Sequence, residues 1–269
     1  MTIAMPLDPL TVARARATDP RIEQTFARMV HDGWTPFAKE VYGRKDSPDS
    51  PMRLMQRHKK EWKHIQKVLL QGELFNRNDV DDLEYVSFNL GSAFHALVCF
   101  SSLLHAHDDH QGVRGFSQAR MIHDACETAL RCQNEYSDVK LREQAFAAGL
   151  LHDVGLFMLT VRFPEEMEEV LHIATGERRS LVQAERVRFG FDHQAVGAFY
   201  LEKLRFSARV VDAVACHHEP HPDADLSLGA IVARVQKSAI SPNELQKIRS
   251  TFCLGGSASP FEGRVKKAG

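Results

Sequence analysis

Residues 145–159 read AFAAGLLHDVGLFML, and the reading of that run decides the fold. Seven residues that can all sit in a protein interior, 145–151, are followed at once by His152 and Asp153, then by Gly155 and a second apolar run. Buried polar groups need partners, so this pair must find them at the helix end or on other elements. Adjacent helical side chains diverge by about 100 degrees, yet at a helix end an imidazole nitrogen and a carboxylate oxygen can converge on one metal ion, the carboxylate bridging to a second. Gly155 is expected to let the backbone turn sharply just after the pair. A purely structural alternative stays open: His152 donating to Asp153 or to a backbone carbonyl would fix the helix end without a metal.

Working outward, the periodicity is helical wherever it can be read. Asp19 and Pro20 mark a helix start, with Ile22, Phe26 and Met29 on one stripe and Gly33 as the stop. Over 52–70, Met55, His58, Trp62, Ile65 and Leu69 recur at helical spacing, while Arg53, Arg57, Lys60 and Lys67 fall outside that stripe as a solvated basic face. The apolar segment 83–104 should lie between other helices, with Gly91 permitting a close approach or a break. Pro164 starts a helix whose Met167, Val170 and Leu171 face inward before Gly176 ends it. Ser180 with Gln183 has capping-box spacing, and Asp192 and Ser207 can cap the next two helices. With no alternating strands and no glycine-rich phosphate loop, a dinucleotide-binding fold or a nucleoside-triphosphatase is a poor match. The segment 42–51, YGRKDSPDSP, reads as a surface connection.

The charge balance is even, 34 basic against 35 acidic side chains, which removes the long-range pull of a nucleic-acid coat or a polybasic membrane anchor. Locally, 53–67 carries six Lys or Arg against Glu61 alone, but with Trp62 on the apolar stripe and no groove-reading motif generic nucleic-acid binding there is a weak reading. The five cysteines, Cys99, Cys126, Cys132, Cys216 and Cys253, form no zinc-knuckle spacing and read as buried thiols in a reducing compartment. No uncharged apolar stretch approaches the roughly 18 residues of a membrane crossing, and the amino terminus lacks a secretory pattern, so a cytoplasmic setting is expected. The tract 105–112, HAHDDHQG, is rich in ligating groups, but no periodicity holds them together and it reads as a hydrated loop between lobes.

Further candidates for the His152 and Asp153 centre lie on separate expected helices. His123 stands beside Ile122 and Cys126, His193 is in line with Val196 and Tyr200, and His217 is in line with Val210 and Val214, with His218 next to it. Five imidazoles and one carboxylate suffice for one or two metal ions if the helices converge. Otherwise His123 is a surface residue, His193 braces a turn, and His217 with His218 joins a buried hydrogen-bond network.

Three stretches in order, GLLHDVG at 149–155, GFDHQAVGAFYLEKL at 190–204 and VVDAVACHHEP at 210–220, resemble the HDOD family, regulatory relatives of the HD-domain metal phosphohydrolases. NLGSAFHALV at 89–98 is similar to that family's hydrophobic LG segment, so the resemblance spans about 70–240. It implies an all-α architecture: an HD-like helical bundle over 113–269 packed against an N-terminal helical lobe over 1–112. It also implies His123 as the initial histidine, His152 and Asp153 as the central pair, and His193, His217 and His218 as later members of the same metal site. The chain departs from active HD hydrolases in having no aspartate over 226–250, where Gln236 is the nearest substitute. It departs from the cyclic-dinucleotide branch in carrying Leu156 where a lysine follows HDVG, and EPHPDADL where a GYP-containing extension is expected. Leu204 and Ser207 stand where tryptophan and proline are more usual.

The missing aspartate removes an anionic ligand that would balance dicationic charge, and the missing lysine removes a phosphate clamp. The resemblance therefore implies a cytoplasmic signalling or regulatory protein whose degenerate pocket is a structural or ligand-sensing centre, coupled to a protein partner. The implied cofactor is a divalent metal, iron, manganese or another transition metal, or none. The alternative is a metal-dependent phosphohydrolase acting on a phosphoester or nucleotide, with His152 and Asp153 central to catalysis and a small phosphate-containing ligand in the site.

Overall fold

The computed structural model describes residues 19–32, 59–107, 113–114, 116–219 and 227–250. Gly33, the 42–51 connection, residues 52–58 with Arg53 and Arg57, residues 108–112, Pro220 to Leu226 and Cys253 lie outside the described residues. Among those described, every regular element is a helix and there is no strand. The chain divides into two compact units that interleave along the sequence: 1–32, 107–117 and 151–238 form the first, and 33–106, 118–150 and 239–269 the second.

In the first unit, α1 (Pro20–Asp32) starts where Asp19 accepts a hydrogen bond from the Arg21 backbone N–H. Its Ile22, Phe26 and Met29 are buried as the stripe requires, and Phe26 meets Phe163 and Phe191 edge-on. The helices α7 (Val154–Arg162), α8 (Pro164–Gly176), α9 (Leu181–Phe189), α10 (His193–Lys203), α11 (Ala208–Cys216) and α12 (Leu228–Lys237) follow. Their starts obey the capping rules: Pro164 sits in the first turn of α8, Ser180 and Gln183 form a reciprocal capping box on α9, and the Asp192 carboxylate accepts from the Ala195 N–H on α10. Ser207 holds the cap position of α11 without a side-chain bond. Every residue of α10 from His193 to Leu201 is buried, because α7, α11, α1 and α9 pack around it. Burying side chains of this kind contributes roughly 1.5–3 kcal/mol for each large apolar residue.

The second unit contains α2 (Lys59–Gln71), α3 (Leu83–Leu90), α4 (Phe94–Ala106), α5 (Gln118–Asn134), α6 (Val139–Leu151, as far as residue 150) and α13 (Pro242–Ser250). The apolar 83–104 segment breaks as the glycine allows. Gly91, at φ 52, ends α3 and leads through a short 3₁₀ turn into α4, whose residues from Ala96 to Leu104 are all buried. On α2, Ile65, Val68 and Leu69 face inward while Lys59, Lys60, Lys63 and Lys67 are exposed, as expected of a solvated basic face. Cys99, Cys126 and Cys132 are buried free thiols, and Cys216 is half-buried.

The run Val139–Arg162 has a mean hydropathy of 1.4 over 18 residues, yet 78% of that stretch is buried inside the protein. It is a core segment interrupted by the turn at His152 and Asp153, and that turn builds the site.

Candidate metal centre

Asp153 occupies the N-cap position of α7, at φ −100 and ψ 14, but its carboxylate makes no capping hydrogen bond. The side chain is turned instead toward three imidazoles. Oδ2 lies 3.1 Å from Nε2 of His152, a buried residue at the same turn. Oδ1 lies 3.3 Å from Nε2 of His217 and 3.6 Å from Nε2 of His193. Those two imidazole nitrogens are themselves 3.4 Å apart. Asp153, His193, His217 and His218 form one group whose ligating atoms lie within 4.8 Å of one another, buried except at His218 and partly at Asp153.

Packing explains the convergence. Gly155, in the first turn of α7, has no left-handed φ and does not supply the sharp turn expected of it. Its missing side chain matters instead: a Cβ there would lie 2.0 Å from the His193 carbonyl oxygen and 2.5 Å from the Gly197 nitrogen. The two backbones therefore touch beside the site, and only a hydrogen atom fits between them. A Cβ on Gly197 would lie 2.9 Å from Val214 of α11 and 3.3 Å from the Gly155 nitrogen of α7. Small residues thus draw α7, α10 and α11 together, placing Asp153, His193 and His217 around one point.

The outer hydrogen bonds fix which ring nitrogens face that point. His193 Nδ1 lies 2.7 Å from Glu185 Oε2, which also accepts from the His193 backbone N–H at 2.9 Å. His217 Nδ1 lies 2.8 Å from the Val214 carbonyl oxygen. A carbonyl can only accept, so His217 carries its proton on Nδ1 and presents the Nε2 lone pair inward. The carboxylate of Glu185 imposes the same orientation on His193. Both residues thus have the outer partner typical of metal-binding histidines, which fixes the tautomer and raises the basicity of the inner nitrogen.

A divalent ion fits this set. The Asp153 Oδ1 is buried, makes no hydrogen bond and faces the Nε2 lone pair of His217, a pair of acceptors that a cation would relieve while displacing the second proton of His193. Three ligand atoms separated by 3.3, 3.4 and 3.6 Å share a centre about 2.0 Å from each, the length of ordinary metal–imidazole and metal–carboxylate bonds. Two imidazoles and one carboxylate are donors suited to iron, manganese or zinc.

The charges are correspondingly perturbed. Burial works against ionisation of Asp153, but His152 above all, with His217 and His193, holds its carboxyl well below the usual range. Burial also opposes a charge on His193, but Glu185 foremost, with Asp153, outweighs it and pushes the pKa up to about 9. Burial dominates at His217 and keeps it neutral, and at His218, whose otherwise exposed ring is crowded on one side by His193 and His217, the lost solvation followed by the neighbouring imidazoles lowers the pKa.

Other features of the sequence separate from this group. His123 is half-exposed on α5, its Nδ1 3.6 Å from Asp124, and is not part of the four-residue cluster. His105 stacks on His64 with ring centroids 3.5 Å apart, and both belong to the second unit. Gln236, considered as a substitute for the missing aspartate, is exposed on α12 between buried Val235 and Lys237 and is not a member of the group. Leu156 is half-buried on α7 and Leu204 is buried.

Glu185, Arg186 and Gln194, which sequence patterns do not single out, complete the site. Glu185 is fully buried on α9, and Arg186 beside it forks onto both oxygens of Glu219, at 2.8 and 2.9 Å, while its Nε reaches Asp192 at 2.6 Å. That fork ties the cap of α10 to the residues just after His217 and His218. Gln194 adds a further tie by accepting from the His218 backbone N–H.

Residues 89–220 match the model of the HDOD domain, a stretch that contains every member of the cluster. Among solved structures, a provisionally assigned phosphohydrolase from Shewanella amazonensis SB2B resembles this chain with a TM-score of 0.60 at 18% identity, covering 89% of this chain and 92% of that one. An HDOD domain protein of unknown function from Geobacter sulfurreducens has a TM-score of 0.46 at 15% identity, covering 95% and 87%. The MmoQ response regulator from Methylococcus capsulatus str. Bath has a TM-score of 0.42 at 21% identity, covering 88% and 95%. The first likeness establishes the fold, and the other two are looser. No curated protein matches.

Proposed function

The chain belongs to the HDOD domain family through residues 89–220, and on that footing we propose that it is a regulatory protein whose Asp153, His193 and His217 hold a divalent metal ion as a structural or ligand-sensing centre. The observation that carries this reading is the meeting of two inward imidazole nitrogens, each fixed by an outer partner, with a buried carboxylate oxygen that has no hydrogen bond. When bound, the ion would supply positive charge and Lewis acidity to an anionic ligand oxygen. The chain's own residues do the rest. His152 holds the second oxygen of Asp153, Glu185 orients His193, and exposed His218 stands at the solvent side as a further contact for a ligand.

A regulatory rather than catalytic role is supported by what surrounds the centre. No aspartate lies on α12, so Glu185, one residue removed from the ion, supplies the balancing negative charge that a direct ligand would otherwise bring. Leu156 gives an apolar side chain where a phosphate clamp would need a cation. Such a protein would act through a protein partner in a signalling pathway in the cytoplasm. The hydrolase reading retains one favourable observation: Asp153 is partly accessible and His218 exposed, so a phosphate-containing ligand can reach the cluster, with His152 and Asp153 as the central pair.

Metal-loaded protein assayed against p-nitrophenyl phosphate and its bis-ester separates the two. The regulatory reading predicts that chelation lowers thermal stability while leaving no hydrolysis to lose. Turnover that vanishes on chelation, returns with metal and is abolished in Asp153→Asn would replace it with the hydrolase reading.

A further inference from the structure

Four phenylalanines of the first unit gather beside the start of α1. Phe26 is fully buried and meets Phe163 and Phe191 edge-on, with centroids 6.2 and 6.3 Å away. Phe163, Phe189 and Phe191 are only half-buried and form a contiguous set: Phe189 lies 5.4 Å from Phe163 and is stacked on Phe191 at 5.9 Å. Each of the three has a guanidinium over its ring, Arg162 at 5.2 Å, Arg188 at 6.0 Å and Arg21 at 5.9 Å. Partly accessible aromatic rings interleaved with arginines are the side chains enriched where proteins make contacts that matter energetically. Two of these cations are already neutralised, Arg21 by Asp19 and Arg188 by Glu169, each at 2.6 Å. Arg162 is exposed and has no ion pair among the described residues.

The chain itself leads to this face. Arg21 donates from Nη2 to the Gly190 carbonyl oxygen at 3.2 Å, between Phe189 and Phe191, so residues 1–18 join α1 beside the rings. That segment lies outside the described residues and reads MTIAMPLDPLTVARARAT. Over 3–10 it supplies Ile3, Met5, Leu7 and Leu10, and Asp8 is its only charged side chain. Pro6 and Pro9 favour the polyproline II conformation and stand three residues apart, one turn of that helix, so both fall on one edge about 9 Å apart. Prolines at this spacing dock on aromatic-lined surfaces, because the segment is already extended and loses little entropy. Residues 11–18 reach roughly 26–29 Å when extended, enough to bring Pro6 and Pro9 back onto any ring of the set.

We propose that this aromatic face is the docking site for residues 3–10 of the same chain. Pro6 and Pro9 lie against Phe163, Phe189 and Phe191, and the Asp8 carboxylate pairs with Arg162. A short tether supplies an effective concentration of about 1 mM, so a contact with a dissociation constant of about 0.1 mM is kept mostly closed.

A fluorescein-labelled peptide of residues 1–12, titrated against the full chain and read by fluorescence anisotropy, tests this. The parent should bind the peptide weakly because its own segment competes. A full-length Leu7→Ser, Leu10→Ser double variant, which frees the face, should bind it about tenfold more tightly. In that background Phe189→Ala should weaken binding about tenfold, and Arg162→Glu about threefold. If Phe189→Ala does not fold by circular dichroism, Arg162→Glu, at an exposed position, still decides. Equal peptide binding by parent and double variant, or none by either at about 1 mM, would overturn the assignment. So would a concentration-dependent dimer in sedimentation velocity that the double variant lacks, since the segment would then sit on a second copy.

Discussion

Replacing Gly155 with alanine places a methyl carbon 2.0 Å from the His193 carbonyl oxygen and 2.5 Å from the Gly197 nitrogen. An ordinary carbon–oxygen contact is about 3.3–3.6 Å, so α7 must withdraw from α10 by more than about 1 Å. Both obstacles are backbone atoms, which cannot rotate away. Overpacking of this kind costs about 1–3 kcal/mol, and the upper half of that range corresponds to a fall in Tm of roughly 4–12 °C for a domain of this size. Asp153 lies two residues before Gly155, so the same withdrawal spreads the 3.3–3.6 Å triangle of ligand atoms, and affinity for a divalent ion should fall at least about tenfold. Gly176→Ala is the matched control: nothing lies within 4 Å of the added carbon and its φ is not positive, so it should be neutral or gain up to about 1 kcal/mol. Thermal unfolding by circular dichroism and metal titration of both variants are the assays. A Gly155→Ala protein that melts with the parent and binds metal equally well would refute the claim that this backbone contact sets the site.

Other consequences are accessible to the same measurements. Glu185→Gln keeps shape but removes the charge behind His193, and metal affinity should drop about 10- to 100-fold; an unchanged affinity would leave Glu185 without an orienting role. Arg186→Ala removes the fork onto Glu219 and the bond to Asp192 and should lower stability by about 1–2 kcal/mol, with Arg186→Lys recovering only part of it in a chemical unfolding series. Burial lowers the pKa of His95 to about 4. Because the folded form binds its proton less readily than the unfolded chain, this contribution is complete above about pH 6.5 and is lost as the pH falls toward 4. The loss is up to about 3 kcal/mol, and His95→Phe should flatten that part of the stability–pH curve.

The polar pair His152 and Asp153 could be singled out because it interrupts an otherwise apolar stretch of fifteen positions, His193 because it lies in line with buried Val196 and Tyr200, and His217 because it lies in line with buried Val210 and Val214. Helix starts at Pro20, Pro164, Ser180 and Asp192 were equally legible, since capping is a local matter of one or two side chains. Glu185 was not, because half-buried Arg186 and exposed Val187 and Arg188 follow it in sequence and only the packing of α9 on α10 buries it against His193. Gly155 does not make the sharp turn that its residue type suggests. Its function depends on a backbone forty residues away rather than on its own torsion angles. The interleaving of the two units is likewise invisible to periodicity, which reports which face of a helix is covered but not by what.

The central claim is that Asp153, His193 and His217 share one divalent ion, and the most direct measurement is metal stoichiometry by inductively coupled plasma mass spectrometry after loading with iron, manganese or zinc and exhaustive dialysis. The full chain should retain about one ion per molecule, and Asp153→Asn and His217→Gln, confirmed as folded, should retain almost none. Equal retention by parent and variants, or none by any of them with all three metals, would contradict it.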